Sequence, residues 1–133
     1  MKPILARWTE STYALMRVVM GFMLICHGVQ KVFGLLGGQG NPHGLLILAG
    51  VIEFVGGLMI ALGLFTTPVA LLASGEMAFA YFLVHAKLSF WPILNDGEIV
   101  VANCFVFLYF AARGPGSLSL DAWFDRKHSR PQP

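Results

Sequence analysis

The stretch from Gly44 to Leu64 is apolar except for Glu53, which lies near its middle. A helix of roughly 20 residues crosses the ~30 Å hydrocarbon core of a bilayer, so this stretch is long enough to span one. The next stretch, Pro68 to Ala86, carries Glu76 in the same way. An ionised side chain at that depth costs about 2.5–3.5 kcal/mol. The two glutamates therefore predict a partner, a proton or a function inside a membrane.

The composition supports a membrane protein. Hydrophobic residues make up 56% of the 133-residue chain and charged residues 12%, whereas soluble domains average about 45–50% and 25%. A chain this short cannot bury so much apolar surface in a water-soluble core. The formal net charge of +2 is too small to indicate nucleic-acid binding. We predict a single integral membrane domain over residues 1–133.

Four stretches are long and apolar enough to be predicted as spans, namely residues 12–33, 44–64, 68–86 and 95–112. The connections between them are short, which predicts an antiparallel bundle of four helices and thus an all-α fold. The remaining residues, 114–133, are predicted to form a short amphipathic tail. Trp123 and Phe124 lie next to basic residues there, a combination typical of the membrane interface.

The distribution of lysine and arginine predicts the orientation. Four spans leave both termini on one side of the membrane. That side carries most of the cationic residues, namely Lys2, Arg7, Arg17, Arg113, Arg126, Lys127 and Arg130. The other side carries Lys31 and Lys87. Because cytoplasmic segments are enriched in lysine and arginine, both termini are predicted to be cytoplasmic.

Glu53 is predicted to face the interior of the bundle. Gly50 and Gly57 lie on its side of the helix at i−3 and i+4, and small residues mark close helix contacts in lipid. The depth of Arg17 in the first span predicts a structural ion pair with Glu76, with one of the two carboxyl groups protonated. The alternative is that Glu53 and Glu76 form a pair that exchanges protons or binds a substrate.

Polar side chains from three predicted spans come to a similar height near the outer surface. They are His27, Gln30, Lys31, His85, Asn95 and Glu98. An apolar pocket with a few placed polar groups is typical of a small-molecule site, and a quinone headgroup fits this description. Two alternatives stay open, since Lys31 could extend to lipid headgroups and the segment from Asn95 to Glu98 could only begin a helix.

Other chemistries have weaker support. No HxxxH or ExxH pair lies on a predicted span, so no metal site is predicted. Cys26 and Cys104 lie far apart in apolar stretches and are interpreted as small buried side chains, with a redox pair as the alternative. There is no flavin motif and no haem-ligand pattern across two helices. No covalently bound cofactor is predicted.

Several segments, taken together and in order, resemble the DoxX family of small membrane proteins. The segments are His27–Gly34, Glu53–Leu58, Leu62–Thr66, Asn95–Glu98 and Gly114–Asp121. The resemblance extends over most of the chain. Many members have a longer segment before the second span than this chain does, and the family often has glycine where this chain has Asp96.

The resemblance implies a four-helix, multi-pass protein of the inner (plasma) membrane. Named relatives are associated with thiosulfate:quinone oxidoreductase, and others with complexes that link thiol or sulfur metabolism to oxidant defence. The site residues that this resemblance carries over are His27, Gln30, Lys31, Glu53, Asn95 and Glu98. Fold resemblance alone does not determine chemistry.

The functional hypothesis is a subunit of a quinone-linked thiol or sulfur oxidoreductase or oxidative-stress complex, with a quinone as its ligand. Electrons would come from a soluble or membrane redox partner subunit. Two alternatives stay open. The chain could be a small proton-coupled transporter that works as a homo-oligomer, or a scaffold that anchors a soluble enzyme through residues 113–133.

Overall fold

The computed structural model describes residues 4–38 and 43–128, which contain helices and no strand. In chain order the helices are α1 (Thr9–Phe33), α2 (Leu45–Leu62), α3 (Thr66–Ala80), α4 (Glu98–Arg113) and α5 (Leu120–His128). Shorter turns flank them, with 3-10 geometry at Ala6–Trp8 and Pro92–Leu94 and π-helical geometry at Tyr81–His85. The all-α prediction is confirmed.

Three helical segments are long and apolar enough to cross a membrane, namely Ala6–Phe33, Leu45–Leu62 and Thr66–His85. They correspond to the first three predicted spans. The fourth predicted span begins later than expected, because residues 95–97 form a turn and α4 starts only at Glu98. Its 16 residues are fewer than the roughly 20 that a straight span needs. The predicted tail contains α5, and residues 129–133 lie outside the described part of the chain.

The helices pack as two close pairs, α1 along α2 and α3 along α4, and α2 contacts α3 less extensively. Glycines explain how closely the first pair packs. A Cβ atom on Gly57 would lie only 2.7 Å from the carbonyl oxygen of Gly21, and one on Gly28 would lie 2.4 Å from the amide nitrogen of Phe54. In lipid, where the hydrophobic effect does not drive helices together, van der Waals packing at such close contacts stabilises the helix pair.

The core lies where the pairs meet. Its buried members are Tyr13, Leu24, Ile60, Ala70, Ala73, Met77, Phe107 and Phe110. Many other large apolar side chains, including Phe22, Leu71, Phe79 and Phe105, are more than half exposed. In a bilayer these side chains would contact acyl chains, which accounts for so much apolar surface on the outside.

The C-terminal segment is fixed to the turn between α2 and α3. Gly63 ends α2 in the left-handed conformation, with φ of 70°, and Phe65 follows with φ of 46°, which is uncommon for a residue with a side chain. The carboxylate of Asp121 accepts hydrogen bonds from the backbone N–H groups of Phe65, at 2.9 Å, and Thr66, at 3.1 Å. Asp121 thus supplies the acceptors that the start of α3 requires. We call the end of the molecule where the C-terminal segment packs on the turn between α2 and α3 the tail end.

Gly28→Val should lower the free energy of unfolding by about 1–3 kcal/mol, since the new side chain collides with α2 backbone that cannot move aside freely. Thermal unfolding in detergent measures the change. The control is Gly75→Ala on α3, where a Cβ atom meets nothing within 4 Å. Equal unfolding temperatures for Gly28→Val and the wild type would contradict the close α1–α2 contact.

Candidate functional site

Lys31 and Glu53 form an ion pair between α1 and α2. The distance from Lys31 Nζ to Glu53 Oε1 is 2.6 Å. Glu53 is only 2% exposed, whereas the Lys31 side chain is 28% exposed. Gly50 makes room for this contact, because a Cβ atom there would lie 2.8 Å from Lys31 Cβ. The prediction that Glu53 faces the interior is therefore confirmed, and its cation is Lys31.

Glu76 contributes a second buried carboxyl group from α3. Both of its oxygens are shielded from solvent and have no hydrogen-bond partner among residues 4–38 and 43–128, and the same holds for Glu53 Oε2. Glu76 interacts electrostatically with Glu53 and with Lys31. One cation is thus in contact with Glu53 and acts electrostatically on Glu76. Buried polar atoms normally have partners, so three unpartnered oxygens in one cluster mark a site where a proton or a ligand is expected.

A groove of about 860 Å³ lies between α2 and α3. Among the described residues that line it, Lys31 and Glu76 are the charged ones. The remaining lining residues are Leu45, Leu46, Leu48, Ala49, Ile52, Pro68, Leu71, Leu72, Gly75, Phe79, Ala80, Leu83 and Val84. The limited packing of α2 on α3 leaves this space open. Its size and its few polar groups are those of a small-molecule site.

The predicted ion pair between Arg17 and Glu76 is wrong. Arg17 donates hydrogen bonds to the backbone carbonyls of Pro115 and Leu118, the second at 2.7 Å. The reason is that the segment after α4 folds back beneath α1 and brings its carbonyl groups to the guanidinium. Arg17 is 2% exposed and belongs to the tail end, whereas Glu76 lines the groove together with Lys31.

The predicted outer cluster does not form one site. His27 and Glu98 are exposed and line none of the described cavities. The side-chain amide of Gln30 donates to the carbonyl of Leu36, at 2.8 Å, and steadies the loop after α1. Of the six predicted ligand-binding residues, Lys31 alone lines the groove.

His85 and Asn95 belong to a separate, internally satisfied cluster. His85 Nδ1 lies 2.8 Å from the Asn95 carbonyl oxygen. The Asn95 amide group donates to the Ser89 carbonyl and to the Tyr81 hydroxyl, and its oxygen accepts from the Gly97 N–H. Asn95 is buried and has no free donor, so its position fits a structural role at the start of α4 and not ligand binding.

Two contacts could not be found from sequence spacing. The Lys31–Glu53 pair joins different helices, and Asp121 reaches the start of α3 from the far end of the chain.

Cys26 and Cys104 are both free and half-buried. Within the described ranges, no three His, Cys, Asp or Glu side chains come together as a metal site would require.

Comparison with known proteins identifies relatives over nearly the whole chain. A family model described as DoxX matches residues 12–86. A protein of Haemophilus influenzae described as uncharacterised is 40% identical over 124 residues, which are 86% of this chain and 91% of that protein. The inner membrane protein YqjF of Escherichia coli is 31% identical over 125 residues, 84% of this chain and 90% of YqjF. No solved structure matches. The family match covers α2, α3 and all of α1 except its first three residues, and these helices carry Lys31, Glu53 and Glu76.

Proposed function

Because the chain belongs to the DoxX family and is a multi-pass protein of the inner membrane, we propose that it is the quinone-binding subunit of a redox complex. The quinone enters from the lipid and lies in the groove between α2 and α3. A quinone accepts two electrons and two protons, and a partner subunit that acts on thiols or sulfur compounds supplies the electrons.

The observation that carries this proposal is the position of Glu76. Glu76 lines an apolar groove large enough for a substituted ring with part of its tail, and its two carboxyl oxygens are buried without a hydrogen-bond partner among the described residues. Lys31, which lines the same groove, provides a hydrogen-bond donor for the ligand. Its hydrogen bond to Glu53 holds its side chain in place. Lys31 therefore orients one carbonyl of the headgroup, and Glu76 holds or gives up a proton at the same place.

The proposal includes the arrangement in the membrane. In it, α4 crosses the bilayer as a fourth span with the turn at residues 95–97 in the outer interface, so that the four helices form an antiparallel bundle. Both termini lie in the cytoplasm, in agreement with the excess of lysine and arginine at the tail end. The groove then faces the acyl chains, from which a lipophilic ligand reaches it directly.

Photo-crosslinking tests the site. A photoreactive quinone in quinone-free nanodiscs should label groove residues of α2 and α3, and an unlabelled quinone should compete. Glu76→Gln should reduce labelling about tenfold, as expected for the loss of one hydrogen bond of about 1.5 kcal/mol to a charged or proton-sharing group. Glu98→Gln, the same chemical change at an exposed position outside the groove, should leave labelling unchanged.

Two results would overturn the proposal. One is labelling confined to the surface, without competition by unlabelled quinone. The other is an equal effect of Glu76→Gln and Glu98→Gln. Uptake of a solute into proteoliposomes in response to a pH gradient, without any quinone labelling, would instead support a proton-coupled carrier that uses the same carboxyl groups.

A further inference from the structure

Lys31 borders two cavities. On one side it lines the apolar groove together with Glu76. On the other side it lines a smaller cavity of about 290 Å³, whose other lining residues are Gln30, Gly37, Gly38 and Leu46. We call this second space the loop-side cavity, because it lies at the loop that follows α1. Lys31 and Leu46 are the residues that both spaces share, so they form the wall between them.

The loop-side cavity is suited to hold water. It is far larger than the ~10–15 Å³ that one water molecule needs, and its lining includes the polar residues Gln30 and Lys31. Gly37, which is exposed, connects it with the surface. The groove has the opposite character, since the described residues that line it are apolar apart from Lys31 and Glu76.

We infer that Lys31 passes protons from water in the loop-side cavity to the buried carboxyl group of Glu76. The ammonium group of Lys31 gives a proton to the Glu76 carboxylate, and the resulting amine regains one from water in the loop-side cavity. The hydroxide ion left there is neutralised by exchange with bulk solvent, so the net change is one proton moved from solvent to Glu76. Glu53 keeps Lys31 at the boundary through the 2.6 Å contact. This inference goes beyond the proposed function, because the path exists with or without a ligand.

The charges around Glu76 support the path. Lys31 from α1 and Glu53 from α2 are the charged side chains that act on it from the neighbouring helices. Arg17 is engaged with carbonyl groups at the tail end. His85 is bonded to the Asn95 carbonyl in the other polar cluster. Within residues 4–38 and 43–128, Lys31 is the cation that lines both spaces.

Infrared spectroscopy of the protein in nanodiscs, without added quinone, tests the path. The carbonyl band of protonated Glu76, assigned by its loss in Glu76→Gln, should shift rapidly after transfer to D₂O. Lys31→Met should slow that shift about 100-fold, the lower end of the effect of a positioned proton carrier. Lys87→Met, at an exposed lysine outside both cavities, should exchange at the wild-type rate.

Lys31→Met also removes the ion pair, so a second variant separates proton access from folding. Gln30→Leu makes the loop-side cavity less polar and leaves Lys31 and Glu53 in place, and it should slow exchange several-fold. Lys31→Arg keeps the cation but does not give up its proton, so it should slow exchange nearly as much as Lys31→Met while retaining the charge opposite Glu53. Wild-type exchange rates in both Lys31→Met and Gln30→Leu would overturn the inference, as would the absence of a protonated Glu76 band in the wild type. Because no ligand is present, failure of quinone labelling would not affect this result.

Discussion

Lys31→Met is expected to lower the free energy of unfolding by about 3–5 kcal/mol, because it leaves Glu53 as a buried carboxyl group without its cation. Glu53 is 2% exposed and cannot reach water or lipid headgroups. Unfolding in detergent, followed by circular dichroism, measures the loss. Lys87→Met removes an exposed lysine and should change stability little.

Glu53→Leu should lower the free energy of unfolding by less than Lys31→Met does. This difference between the two variants distinguishes an ion pair from apolar packing. In Glu53→Leu the remaining cation is Lys31, which is 28% exposed and has a long side chain that can extend to the headgroups. The double variant Lys31→Met/Glu53→Leu should recover most of the stability lost in Lys31→Met, since no charge stays buried. Additive losses in the double variant would show that the two side chains do not form a coupled pair.

Arg17→Leu is expected to release the segment after α4 from α1. The guanidinium holds the carbonyl groups of Pro115 and Leu118, and a hydrogen bond to a charged group contributes about 1.5–3 kcal/mol. Backbone amides of residues 117–123 should therefore lose protection in hydrogen–deuterium exchange. The amide of Asp121, which donates to the Gly63 carbonyl, is the most direct reporter.

Arg7→Leu provides the matched control, because Arg7 is an exposed arginine near the same end of α1 whose guanidinium lies over the Trp8 ring. It should leave protection of residues 117–123 unchanged. If Arg17→Leu likewise leaves these amides protected, then Asp121 and the Glu10 carboxylate, which accepts from the Ser117 N–H, are enough to hold the tail end.

The membrane-spanning elements were predictable because they depend on local composition. Apolar stretches of the required length, separated by glycine and proline, predict the first three helices to within a few residues. The resemblance to the DoxX family is likewise confirmed by the family match. The start of α4 was less predictable, because the turn before it is stabilised by the buried amide of Asn95, whose partners at Tyr81 and Ser89 are set by tertiary packing.

The site was only partly predictable for the same reason. The hydrophobic context of Glu53 and Glu76 identified both as buried acids, but depth along a helix does not specify which cation faces them. Lys31 and Arg17 lie on the same helix, and the fold-back of residues 115–118 decided that Arg17 is satisfied elsewhere. That fold-back depends on contacts about one hundred residues apart in sequence, which helical periodicity cannot reveal.

The partners of Arg17 have a consequence for biogenesis. The nearer one, Pro115, lies 98 positions later in the chain. At about 5–20 residues per second, a ribosome needs on the order of 5–20 s to make the intervening polypeptide. During that interval the first helix enters the translocon with a cation that has no native acceptor, and it must keep this charge near the headgroups. The native acceptors of Arg17 therefore exist only after residues 115–118 have been synthesised, so the environment of this cation is the last feature of the first helix to reach its native state.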